Sequence, residues 1–369
     1  MNRDSVSTSE VISQLRLPLI VLVTFAHSYG GVAPGYSLIG SGWDSYEVLK
    51  LVVSQTLVKV VVPVFFMISG YLFFRNVETW SLQVYWGKIR RRLWTLLLPY
   101  VVWNLLMAVK LHFLNFSISH FLNFSISQSL IFSFSQFLNF TRAGMQTDWL
   151  GQAHWMTAPC NMPLWFLRDL MVVSLLTPVL YWVLRRWGGW VMAVLTLVYL
   201  SGVGAFPVPG VSMYAIYFFS LGAFMSIYRR DPIAAALSVE KPAYVLSVLL
   251  GVAMVLTYRT LVFSPLMLAF RLTGAVAVIC LAYRLLSATR HRLPLTVCRA
   301  SYFLYLGHYV FFLSFIDAWM LQSPPASPSA STLVLCVHYI AAPLVKAALF
   351  VAVYVAWCRL RSLLFSAKK

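Results

Sequence analysis

Runs of about 20 apolar residues recur along this chain from end to end, and that length is what a hydrocarbon layer roughly 30 Å thick demands of a helix rising about 1.5 Å per residue. The runs fall at 11–30, 51–74, 93–111, 163–184, 188–205, 211–228, 243–258, 264–286, 301–320 and 333–357. Hydrophobic residues fill 60% of the 369 positions and charged residues only 10%, a balance foreign to soluble globular chains. The expected fold is therefore all-α, a polytopic transmembrane helical bundle of about ten spans. It forms a single domain over 1–369, with a loop at 112–162 outside the cytoplasm.

The net charge of +18 raises the question of a nucleic-acid partner. The basic residues, however, form short clusters between the apolar runs rather than a continuous stripe, so no nucleic acid is expected. With the N-terminus inside, twenty Lys and Arg collect on the inner face, against Lys110, Arg142 and Arg259 outside. That asymmetry places both termini in the cytoplasm. Cys160, Cys280, Cys298, Cys336 and Cys358 form no CxxC pair, so neither a disulfide framework nor a metal site is expected. The polar segment Met1 to Glu10 reads as no removable signal peptide.

Ser7-Thr8-Ser9-Glu10 has the form of a capping box, which starts the first helix, and Pro18 is expected to bend that helix slightly. The sequence HFLNFSIS occurs at 112–119 and again at 120–127, and FLNF returns at 137–140. Its uncharged Ser/Asn/Phe mixture suits an interfacial element, although the alternation is equally that of a strand. The sequons at Asn115, Asn123 and Asn139 are either a by-product of the repeat or acceptors in a host that glycosylates.

Ionisable groups inside spans cost several kcal/mol unless they face a cavity or a partner, so each is a functional candidate. Arg16 and His27 stand eleven residues apart on one helix, about three turns, so both point to one side roughly 16 Å apart along the axis. An elongated molecule with an anionic head at the inner surface and a reactive tip deeper in fits that spacing. A neutral imidazole, with a reference pKa of about 6.5, suits proton removal from a hydroxyl near neutral pH. The bland alternative for His27 is a hydrogen bond between helices, and the same choice stands for His308. Arg168 and Asp169, after Trp165, form either a sugar-binding pair or an ion pair that locks two helices. Lys50 and Lys59 read as snorkelling residues. Lys88, Arg90, Arg91 and Arg92 either hold phosphates or simply mark the cytoplasmic side.

Five segments in order then resemble acyltransferase family 3 of bacterial membrane proteins, over most of the chain. QLRLPLIVLVTFAHS contains a basic residue, ten intervening positions and a histidine. VVPVFFMISGYLFF (61–74) resembles the PxFFxxSGY signature, and GKIRRRLWTLLLPYVVWN (87–104) resembles the basic segment leading into LxPYxxW. PLWFLRDL (163–170) resembles the WFL motif, and SYFLYLGHYVFF (301–312) resembles the late span with a second histidine.

The resemblance implies O-acyl transfer, most often of acetyl and in some cases succinyl, from cytosolic acyl-CoA to a hydroxyl of a surface polysaccharide or its lipid-linked precursor. It implies His27 as the catalytic histidine with Arg16 positioning the donor. Donor-binding residues are then Lys88, Arg90, Arg91, Arg92, Ser69 and Tyr71, and acceptor-binding residues are Trp165, Arg168, Asp169 and His308. Acyl-CoA is a cosubstrate and no cofactor is held permanently. The expected partners are lipid, acyl-CoA and glycan, and the expected location is the bacterial inner membrane. Some relatives carry an extra extracytoplasmic domain, and none is expected here, where the tenth run is followed closely by Lys369. The family's paired arginines are blurred here into the 88–92 cluster, and the HFLNFSIS repeat lies outside its pattern. The rival reading is a transporter that carries a small anion or a glycan precursor with no covalent step. No half-to-half repeat of the kind common in transporters is apparent.

Overall fold

The computed structural model describes residues 6–28, 32–33, 35–114, 142–147, 153–157, 159–202, 210–289, 291–310 and 331–366. The repeat from 115 onward, with its sequons, lies outside the described residues, as does the stretch 311–320 of the ninth expected span. The described chain is helical apart from one hairpin, Arg142–Thr147 against Ala153–Thr157, antiparallel with Met145 opposite Trp155 and an irregularity between Arg142 and Met145. This hairpin falls within the expected 112–162 loop.

Among the described residues, six helical stretches are long and apolar enough to cross a bilayer: Thr8–His27, Ser45–Phe74, Leu82–Val109, Thr177–Leu200, Phe263–Thr289 and Thr332–Leu364. Helices Trp165–Leu175, Met213–Ile227, Glu240–Leu256 and Leu295–Gly307 are shorter. Large apolar side chains such as Trp94, Trp190, Leu197, Leu249, Leu333 and Trp357 stand exposed. Apolar surface on that scale is what hydrocarbon chains cover, and a helix pairs the backbone groups of its interior within its own segment.

The chain's internal contacts divide it into two compact units, residues 1–64, 230–308 and 312–369 in the first and 65–229 with 309–311 in the second. In the first, helix Thr8–Ser28 packs on Leu295–Gly307, Thr332–Ser366 and Phe263–Thr289. Its buried stripe is Val11, Leu15, Leu19 and Val23, spaced as a helix in a core requires. Ser7 caps it, accepting from the Glu10 amide at 3.3 Å. The reciprocal half of the expected capping box is replaced by an ion pair between the Glu10 carboxylate and Arg292. Gln14 exchanges two hydrogen bonds with the Leu293 backbone at 3.0 and 2.9 Å, and Thr8 donates to Asp231 at 3.1 Å. These contacts fix the helix in register, and it runs on through Pro18 without interruption.

The second helical stretch changes its winding, from α-helix (Ser45–Lys50) to a π-helical turn (Leu51–Thr56), then a 3-10 turn (Leu57–Val60) and α-helix again (Val61–Phe74). Wide π turns of this sort rotate the side chains that follow and often accompany function.

In the second unit, helix Leu82–Arg92 runs through a π turn (Leu93–Leu97) into Leu98–Leu114. The stretch Thr177–Leu200 breaks at Trp187, whose φ of −132° and ψ of 29° are not helical. The break falls where the expected spans ending at 184 and starting at 188 meet. Tyr228 fills the corner: its hydroxyl donates to the Leu184 carbonyl at 3.0 Å, and its ring lies where a side chain on Gly188 would have to go.

Candidate functional site

Arg16, His27 and His308 all belong to the first unit. Arg16, Ile20, Val23 and His27 form one stripe of helix Thr8–Ser28, with Ile20 and Val23 buried and the two basic side chains partly buried. Arg16 has Cys298 as its electrostatic neighbour. At the other end of the stripe the imidazoles of His27 and His308 lie side by side, ring centroids 5.3 Å apart and planes tilted by 44°.

His308 follows helix Leu295–Gly307 as its C-cap, rather than sitting two turns inside a span that begins at 301. The last carbonyls of a helix have no partners within it, and His308 supplies one. Its Nδ1 lies 2.8 Å from the Tyr305 carbonyl and 3.2 Å from that of Leu304. Carbonyl oxygens only accept, so Nδ1 carries the proton and Nε2 of the neutral ring keeps its lone pair. His308 is 1% exposed, and Nε2 has no hydrogen-bond partner among the described residues.

The backbone just before His27 is held by two residues that no motif singles out. Ser54, on the π turn, donates to the Phe25 carbonyl at 3.1 Å, and its oxygen lies 2.5 Å from the Tyr339 hydroxyl. Since the serine has one proton and gives it to the carbonyl, Tyr339 donates to Ser54. In a run of apolar residues neither Ser54 nor Tyr339 carries a spacing signal, and only the winding of the helix aims them together. Lys50 does not snorkel: it is buried, 2.5 Å from the Glu47 carboxylate, with its ammonium over the Tyr46 ring. The other Glu47 oxygen accepts from the Ala33 amide at 2.9 Å.

The remaining expected site residues lie in the second unit. Arg92 points into it, donating to the Ser174 hydroxyl at 2.6 Å and to the Ser69 carbonyl at 3.4 Å, with its guanidinium over the Phe73 ring at 4.7 Å. Lys88, one turn earlier, stands over the same ring at 5.4 Å. Arg90 and Arg91 are exposed. The expected basic cluster is thus split, two cations against the Phe73 ring and two facing outward. Arg75 stands over the Tyr71 ring at 5.9 Å.

Arg168 and Asp169 pair directly, at 2.8 Å from both Nε and Nη2 to one carboxylate oxygen. The other oxygen accepts from the Ser212 hydroxyl at 2.8 Å, and Ser212 caps helix Met213–Ile227. Arg168 and Asp169 are neighbours on one helix, so their ion pair is internal to it, and the Asp169–Ser212 hydrogen bond is a contact that joins this helix to Met213–Ile227. Trp165 joins an aromatic group with Tyr214, which in turn meets Tyr199 and Phe66. Asn104, fully buried at the end of LPYVVWN, accepts from the Asn161 amide at 2.9 Å and so places the start of the PLWFL segment. A cavity of about 160 Å³ is lined by Phe74, Tyr181, Arg185, Arg229 and Glu78 among others, and the carboxylate among its arginines argues against a dedicated anion site.

A family model described as the acyltransferase domain matches residues 11–358, nearly the whole chain. The chain belongs to acyltransferase family 3. This acyltransferase is similar to the succinoglycan biosynthesis protein ExoH of Rhizobium meliloti, with 27% identity over 367 residues that cover 94% of this chain and 88% of that protein. No solved structure matches it. The acyltransferase is a multi-pass membrane protein by its apolar helices and its family together.

Proposed function

We propose that this acyltransferase moves an acyl group, acetyl in the first instance, from cytosolic acyl-CoA to a hydroxyl of a surface polysaccharide or of its lipid-linked precursor. The observation that carries the reading is His27, partly buried beside a second imidazole and on one stripe with Arg16, in a chain of the acyltransferase family. The relative's part in succinoglycan biosynthesis supports a glycan acceptor and makes succinyl the second donor to try. In this reading the acceptor oxygen attacks the thioester carbonyl while His27 takes its proton, a contribution typically of about 100- to 10,000-fold. The carbon–sulfur bond then breaks and the departing thiolate takes the proton from His27.

Arg16 positions the donor, and Lys88, Arg90 and Arg91 are the residues proposed to meet its phosphates through charge-assisted hydrogen bonds. Ser69 and Tyr71 complete the donor assignment. Trp165 is proposed to meet the sugar, as aromatic faces do, with Arg168, held by Asp169, on the acceptor side. About ten spans, cytoplasmic termini and an inner-membrane location complete the proposal, supported by the charge asymmetry of the loops. Membranes from cells producing the protein, given labelled acetyl-CoA or succinyl-CoA in parallel, should move label into glycan. Passage of an anion with no label transferred would overturn the reading in favour of a transporter.

A further inference from the structure

His308 is more than a helix cap. Its Nδ1–H is tied to the Tyr305 carbonyl, so the ring cannot turn over without breaking a hydrogen bond at the helix end. What that leaves is a fixed acceptor, Nε2, buried and without a partner among the described residues. A buried polar atom in that state costs free energy unless something meets it. The neighbouring ring is His27, with centroids at 5.3 Å, near enough for a ring nitrogen to come into hydrogen-bonding reach on a small rotation. Catalytic hydrogen bonds of this sort are often loose in the empty protein and tighten when substrates arrive.

We infer that His308 is the positioning residue for His27: its Nε2 accepts the N–H of His27 during the reaction. A neutral imidazole has one donor and one acceptor nitrogen. Once the donor is engaged by His308, the other nitrogen of His27 is obliged to be the base, facing the acceptor hydroxyl. The same contact stabilises the imidazolium formed when His27 takes the hydroxyl proton, until the departing thiolate takes that proton back. His308 thus acts through His27 and touches neither donor nor acceptor, which separates it from the acceptor-binding role that the motif resemblance implies. The inference rests on the acyl-transfer reading above.

Two substitutions separate positioning from capping. Asparagine places its amide near the position of Nδ1, so His308→Asn keeps a donor for the Tyr305 carbonyl and loses the distal acceptor. Glutamine places its amide near the position of Nε2, so His308→Gln restores an acceptor beside His27. In the membrane assay with labelled acetyl-CoA or succinyl-CoA, His308→Asn should lower kcat about 100-fold or more with KM for both substrates unchanged. Loss of the partner that orients a catalytic imidazole costs up to about 10⁴ in kcat elsewhere. His308→Gln should recover at least about tenfold of that loss. Wild-type kcat in His308→Asn overturns the inference alone, and so does a rise in acceptor KM at constant kcat. His308→Gln no better than His308→Asn also overturns it. If the wild-type protein transfers no label at all, the underlying acyl-transfer reading fails and takes this one with it.

Discussion

Gly70 and Gly222 let two helices of the second unit touch backbone to backbone: a Cβ on Gly70 would sit 2.0 Å from the Phe219 carbonyl oxygen, and one on Gly222 would sit 1.9 Å from that of Met67. Backbone cannot move aside as a flexible side chain can, and in lipid such small-residue contacts are a main source of helix association. The glycine of the SGY signature is thus a packing requirement. Gly70→Ala and Gly222→Ala should each destabilise the fold by about 1–3 kcal/mol or more. The check is the thermal midpoint in detergent, and an unchanged midpoint in both variants would reject the close contact.

His27→Ala should reduce acyl transfer by about 100- to 10,000-fold while leaving the fold intact. The measurement is transfer of labelled acyl group to glycan, alongside gel filtration of the same preparation. Undiminished transfer from a well-folded variant removes the base assignment.

The basic cluster should separate into two kinds of residue. Arg92→Ala strips partners from Ser174 and the Ser69 carbonyl, and should lower stability by about 1–3 kcal/mol. Arg90→Ala and Arg91→Ala, at exposed positions, should leave the melting temperature alone and raise KM for acyl-CoA. The prediction fails if all three variants raise KM equally at wild-type stability.

Asp169 holds Arg168 on one oxygen and the cap of helix Met213–Ile227 on the other. Asp169→Ala leaves a half-buried guanidinium without its counter-ion and should cost about 3–5 kcal/mol, whereas Ser212→Ala removes one cap and should cost about 1 kcal/mol. A denaturation series in detergent reads both. If Asp169→Ala melts like the wild type and only loses affinity for glycan, the carboxylate serves the acceptor instead.

Glu240 and Arg284 form a two-pronged ion pair at 2.9 and 2.5 Å, and those hydrogen bonds hold the Glu240 carboxyl below the usual carboxylate range. A depressed folded-state pKa means that the contribution is present above the unfolded-state value and fades as pH falls through the folded one. Any stabilisation it provides should therefore survive at neutral pH and vanish in acid. The Arg284 side chain is exposed, so Glu240→Gln should shift the melting temperature at neutral pH only slightly, and a large shift would show that the pair is not screened.

Much of this protein was legible in one dimension. The length and spacing of the apolar runs dictated helices in a bilayer, and the boundary expected between 184 and 188 is where the chain breaks at Trp187. The Arg16 to His27 stripe followed from helix periodicity alone, because positions eleven apart return to the same side of any α-helix. Long-range partnerships were not legible. A π turn shifts the register of every later side chain, so no spacing rule could aim Ser54 at Phe25 and Tyr339. Nor could a row of four basic residues tell which would fold inward, since Arg92 turns toward Ser174 and Phe73 from another part of the chain. The facing of His27 and His308, 281 positions apart, likewise exists only once separate helices have packed, for tertiary contact and not local pattern decides which two imidazoles meet.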